Sequence, residues 1–178
     1  MAGKPTPGGV LGDVALATGD YQAAGDHYRA ARTTYKENGD LYGEAFIRRG
    51  LGAIALATGD YQAAADHYRA AQTTFVEVSD SQGEADALLG LGAVALATGD
   101  YQGATGHYRS AQRILAEIGN RAGEAEALMG LGNVANGQGQ SDEARERWED
   151  ALRTFEEIGA SLAASVRDLL ARSSEGPE

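Results

Sequence analysis

The chain has 178 residues, with 26 acidic against 15 basic side chains, a net charge of −11, 25 glycines, 3 prolines and no cysteine. Without cysteine there is no disulfide framework, thiolate nucleophile, or Cys-based zinc or iron–sulfur site, and an acidic surface repels nucleic acid and anionic membranes. No apolar run reaches the roughly 20 residues of a spanning helix, and the N-terminal MAGKPTPGG lacks the apolar stretch of a signal peptide, so a cytoplasmic location is expected.

Pro5, Pro7, Gly8 and Gly9 disfavour helix at the start, so residues 1–9 read as a disordered segment and the first helix as a stub from Val10. From there the chain repeats itself. The string ALATGDYQ begins at Ala15, Ala55 and Ala95, a period of 40, and the block from Leu11 matches the block from Leu51 at 26 of 40 positions. A fourth, diverged copy places Gly139, Ala144, Trp148, Ala151 and Phe155 where Gly99, Ala104, Tyr108, Ala111 and Leu115 stand one period earlier. The units run over about 10–40, 41–80, 81–120 and 121–158. In the second half of each unit, apolar residues recur in steps of three and four, as in Tyr61, Ala64, Tyr68, Ala71, Phe75 and Val78, which is the stripe of a helix. The first half carries another, through Leu88, Leu91, Gly92 and Ala95. Between them Gly99 suits a left-handed cap and Asp100 the N-cap of the next helix, a connection of about two residues that forces an antiparallel hairpin. Neither helix can bury its stripe alone, so the hairpins must stack. Tyr21, Tyr28 and Tyr35 of the first unit are expected to be under-covered behind the stub, a patch that would support a homodimer through the N-terminal repeat. Leu162, Val166, Leu169 and Leu170 predict a cap helix over 160–172, and 173–178 reads as a disordered tail.

These residues resemble the tetratricopeptide repeat: Leu88, Leu91-Gly92, Ala95, Gly99-Asp100, Ala104, Tyr108 and Ala111 follow its pattern, in register four times over about residues 10 to 158. The usual unit has 34 residues, and the extra six are expected in the second helix and its following turn. Longer units of this kind are similar to those of spindle-orientation adaptors, kinesin light chains and actinobacterial regulators. The composition, with Lys4 and Lys36 as the only lysines, points to a bacterium of high genomic GC. The resemblance implies an all-α, right-handed α-solenoid of four hairpins plus the cap helix.

Catalytic chemistry is not evident. Gly50-Leu51-Gly52-Ala53-Ile54-Ala55 fits a dinucleotide fingerprint, but lies mid-helix with no strand before it; its glycines suit close helix approach instead. His27, His67 and His107 occur one per unit, about 10 Å apart as stacked helices would be, too far to share a metal at roughly 2 Å. They read as boundary residues. Carboxylate pairs such as Glu124 and Glu126 read as solvated faces, and no cofactor, metal site or enzyme activity is expected.

In the resembled family the first helix of each unit lines a concave groove. Carried over, that makes the candidate contact residues Leu16; Phe46, Arg49 and Leu56; Asp86, Leu89 and Leu96; and Glu126, Met129 and Asn133. The leucines form an apolar ladder edged by Asp13, Asp86 and Glu126, with Arg49 the one cation among these candidates. Family members that hold chaperone tails use a carboxylate clamp of Lys, Arg and Asn, of which only Arg49 and Asn133 match. An apolar floor with acidic edges suits a protein or peptide ligand, as a helix or extended segment, with basic flanks. The function implied is a protein–protein interaction module; a sensor segment of a larger bacterial regulator and a self-assembling repeat are the alternatives.

Overall fold

The computed structural model describes residues 7–174. Residues 1–6 and 175–178, most of the two segments read as disordered, lie outside them. Nine helices and no strand occur among the described residues: α1 (Pro7–Ala17), α2 (Tyr21–Glu37), α3 (Leu41–Ala57), α4 (Tyr61–Glu77), α5 (Ser81–Ala97), α6 (Tyr101–Glu117), α7 (Arg121–Gly137), α8 (Ser141–Glu157) and α9 (Leu162–Ser174). Each helix packs on the next, making four antiparallel hairpins and a closing helix, an α-solenoid.

Two expectations about helix length are corrected. The first helix starts at Pro7 rather than Val10, because proline is tolerated in the first helical turn, where its missing N–H has no intrahelical partner to lose. Nor does the second helix of a unit absorb the extra residues: α2 through α8 are all 17 residues, about 25 Å each at 1.5 Å per residue. The turns between them are three residues long, one more than expected. In the α3–α4 turn Gly59 takes φ +81°, its N–H donates to Leu56 O, and Asp60 N–H donates to Ala55 O. These two bonds close the carbonyl end of α3. Asp60 also opens α4, its Oδ1 accepting from Ala63 N–H at 3.1 Å. A turn that both stops one helix and starts the next fixes the period. The α4–α5 turn departs from this pattern. Ser79 holds φ +57° without being glycine, and Asp80 makes no side-chain cap.

The core is built from aromatic rings seated on glycines. Tyr28 lies between Gly12 and Gly50, Tyr68 between Gly52 and Gly90, and Tyr108 between Gly92 and Gly130; a Cβ at any of these glycines would fall 2.3 to 3.1 Å from the ring. The mid-helix glycines therefore admit a ring from the second helix, where the sequence suggests a close helix–helix approach. One glycine belongs to the ring's own hairpin and the other to the next, so each tyrosine joins two units. In the fourth unit Trp148 meets Gly132 in the same way, and Leu169 and Leu170 of α9 pack against its cluster. Tyr28 and Tyr35 are 0% and 3% exposed, and Tyr21 at 37% matches Tyr61 at 38%. The expected under-covering of the first-unit tyrosines is thus corrected: they are covered as their equivalents one period on are, and α1 itself exposes Val10, Leu11 and Val14.

Candidate functional site

The first helices of successive hairpins touch one another, α1 with α3, α3 with α5 and α5 with α7, while no comparable contact joins the second helices. The stack therefore curves with α1, α3, α5 and α7 on the inside. Two adjoining cavities lie across this inner face, about 320 and 340 Å³, sharing Leu89, Ala93 and Glu126. The first takes Leu16 from α1, Arg49 and Leu56 from α3, and Asp86 from α5. The second takes Leu96 from α5 with Met129 and Asn133 from α7. Of the ten candidate residues, only Phe46 lines neither. It is half-buried against the core around Tyr28, and its ring lies 5.1 Å beneath the Arg49 guanidinium.

Tyr28, Tyr68 and Tyr108 also line these cavities, although the sequence reads them only as stripe positions of the second helices, with Tyr28 expected to be under-covered. The cause is the glycine at 50, 90 and 130: with no side chain there, the ring of the second helix shows through to the inner face. A tyrosine on the second helix combined with a glycine on the next first helix is the sequence signal for this. The phenols are shielded from water, which pushes Tyr68 and Tyr108 up to about 12. Burial raises Tyr28 further, and its hydroxyl donates to Asp13 Oδ1 at 2.6 Å.

The polar groups are unequally provided for. Arg49 Nη1 donates to Asp86 Oδ2 at 2.8 Å, with both side chains about one-third exposed. Gln82 Nε2 donates to the other oxygen of Asp86 at 2.7 Å, and Gln82 Oε1 accepts from Asn120 Nδ2 at 2.8 Å. Asn120 in turn caps α7 through Gly123 N–H. Arg49 is therefore already engaged within the chain. Asn133 Oδ1 accepts from the Trp148 indole at 3.1 Å, which ties this candidate to the fourth-unit core. Among the described residues Glu126 forms no hydrogen bond or ion pair. Desolvation raises its carboxyl pKa, and the charge of Asp86 adds to this. Its side chain is nonetheless exposed, because a concave wall surrounds a group without covering it; the carboxylate stays reachable. Asp86 is raised as well, chiefly by burial. The first cavity thus carries three carboxylates, Asp13, Asp86 and Glu126, against one guanidinium.

No cluster of metal-binding side chains occurs among the described residues, and none of their helices is long and apolar enough to cross a membrane. The three histidines are half-buried on α2, α4 and α6, away from the inner face. The dinucleotide-like stretch lies within α3.

A family model of the tetratricopeptide repeat matches residues 8–75 and 81–171, together most of the chain. The chain belongs to the tetratricopeptide repeat family. It is a helical repeat module of the protein-interaction kind. Among solved structures it is similar to the apo form of RapI, at 15% identity and a TM-score of 0.78, over 94% of this chain and 62% of that one. It is also similar to BtubC (BKLC) from P. vanneervenii, at 21% identity and a TM-score of 0.71, over 85% of this chain and 63% of that one. The tetratricopeptide array here therefore spans just over three-fifths of either structure, and at these identities the likeness is one of fold. No curated protein matches the chain at a significant level.

Proposed function

We propose that the inner face of α1, α3, α5 and α7 binds a segment of a partner protein, as a peptide or a helix with basic flanks, in the cytoplasm. The observation that carries this reading is the pair of adjoining cavities. Their floor is leucine, alanine and tyrosine, and their charged rim carries more carboxylate than cation. A site with an apolar floor and a few placed charges is the usual form of a peptide groove. Leu16, Leu56 and Leu96 are each half-buried, so they touch the fold without being consumed by it.

The test is the double substitution Leu56→Glu and Leu96→Glu. Two carboxylates would have to lose water against an apolar ligand, at several kcal/mol in total by the roughly 2–7 kcal/mol cost of burying an unpaired polar group. Capture of peptides selected on the wild-type protein should be abolished while the melting temperature changes little. A large fall in melting temperature would show that these leucines serve the core and that the binding surface lies elsewhere.

A homodimer through the N-terminal hairpin is a second reading, and α1 supports it in place of the buried tyrosines. Val10, Leu11 and Val14 are 48%, 49% and 57% exposed, whereas Leu91 and Val94, equivalent by repeat to Leu11 and Val14, are 3% and 7% exposed against α4. A monomeric mass by light scattering at high micromolar concentration would dismiss it.

A further inference from the structure

The inner face carries one incomplete pair. Arg49 reaches forward 37 positions to Asp86 in the next unit, and its guanidinium is held between that carboxylate and the Phe46 ring. One period later the same two positions are Leu89 and Glu126. The acceptor is repeated and the donor is not. Leu89 turns its apolar side chain into both cavities, and Glu126 stands beside it at the seam where they meet, without a hydrogen bond or ion pair among the described residues. The preceding unit has Gly9 and Phe46 at these positions and the following one Met129 and Val166, so neither offers a charge pair.

Resting on the groove reading above, we propose that Glu126 anchors an arginine or lysine side chain of the bound segment, taking the place that Arg49 fills one unit earlier. The intramolecular pair is the template for the geometry. A guanidinium on this face meets a carboxylate of α5 from α3, over an aromatic or apolar wall; at Glu126 that wall is Leu89 and Tyr108, with Met129 along the same helix. The charge balance favours the same occupant, since the first cavity holds two more carboxylates than cations and a cation brought by the ligand would offset that excess. The segment recognised has a basic residue followed or preceded closely by an apolar one, the basic residue at the seam and the apolar residue in the second cavity against Leu96 and Met129.

The test uses the full chain to select from a random twelve-residue peptide library displayed on phage, in parallel with Glu126→Gln and Leu89→Arg. Wild type should enrich peptides carrying one arginine or lysine beside an apolar residue. Replacing that basic residue by citrulline or glutamine should weaken binding about ten- to hundredfold, the range for a hydrogen bond to a charged group. Glu126→Gln should lose the basic preference and keep the apolar one. Leu89→Arg supplies the missing internal donor and should lose it too; because Glu126→Gln leaves the packing of Leu89 intact, the test survives if the arginine variant folds poorly. Enrichment of the same basic residue on Glu126→Gln would overturn the assignment. So would wild-type binders without a basic residue, which would leave the groove reading standing. Failure of wild type to enrich any peptide would remove the groove reading and this one with it.

Discussion

Gly130 and Gly106 make a controlled comparison of what glycine does in this fold, because both lie inside 17-residue helices and only one touches a ring. Replacing either by alanine removes the backbone-entropy cost of a helical glycine, a gain of about 1 kcal/mol. At Gly106 a new Cβ meets nothing within 4 Å, so the gain stands alone. At Gly130 it would lie 2.5 Å from Tyr108 Cε1 and 2.6 Å from Cζ. On its other side the ring is packed so closely on the Gly92 backbone that a Cβ there would also fall 2.7 Å from it, which limits its retreat. Overpacking of this kind costs about 1–3 kcal/mol. The helix term is common to both variants, so the gap between them equals the clash, with Gly106→Ala above wild type and Gly130→Ala at or below it. Urea unfolding followed by circular dichroism and by the fluorescence of Trp148, the single tryptophan, would measure this and show whether the fourth unit melts with the rest. Tyr108→Leu in the Gly130→Ala background should recover part of the loss. If Gly130→Ala proved as stabilising as Gly106→Ala, the glycine seats would not be what holds the rings.

Ser79→Gly should stabilise by about 1 kcal/mol, because a left-handed φ of 57° costs a residue with a Cβ about 1–2 kcal/mol and glycine little; denaturant midpoints would read it. Tyr68→Ala should destabilise by about 3–5 kcal/mol, since Gly52 and Gly90 have no side chains with which to fill the space the ring leaves. Burial lowers the pKa of His67 and His107, so the folded state favours their neutral forms. Their contribution is present above the unfolded value near 6.5 and is lost as pH falls through the folded values. A variant with glutamine at both positions should therefore lose less melting temperature than wild type between about pH 7 and pH 5.

Periodicity made the hairpins legible in the sequence, because the stripes at steps of three and four and the Gly-Asp turns are local signals repeated four times. The choice of inner-face residues came from the family resemblance, which indicated which helix faces inward. What local signals do not carry is which residue meets which across units. The contact of Arg49 with Asp86, and the chain of bonds from Asp86 through Gln82 to Asn120, span 37 and 38 positions and depend on the stacking offset. The roles of Gly50, Gly90 and Gly130 were hidden for the same reason: a glycine in a helix reads as a weak spot until the ring that occupies its space is located. Composition puts the start of α1 three residues late, because Pro7 counts as a breaker by type but is tolerated by its position in the first turn.

An array of repeats separates fold from function by how each position varies between its own copies. The seats are held constant: Gly50, Gly90 and Gly130 against Tyr28, Tyr68 and Tyr108, with a small residue at each neighbouring stripe position, because every unit must present the same surface to the next. Several inner-face positions are under no such demand: beside Leu16, Leu56 and Leu96, which recur unchanged, the copies differ in chemistry, with Phe46, Asp86 and Glu126 at one position, Arg49, Leu89 and Met129 at another, and Ala53, Ala93 and Asn133 at a third. Contacts within the chain account for part of that variety, Arg49 joining Asp86 and Asn133 joining Trp148, but they give no role to a charge at Glu126. A ligand lying along the groove does give one, because it meets a different part of itself at each unit. The Arg49–Asp86 pair closes one register position from within, and Glu126 leaves the next open to a charge from outside.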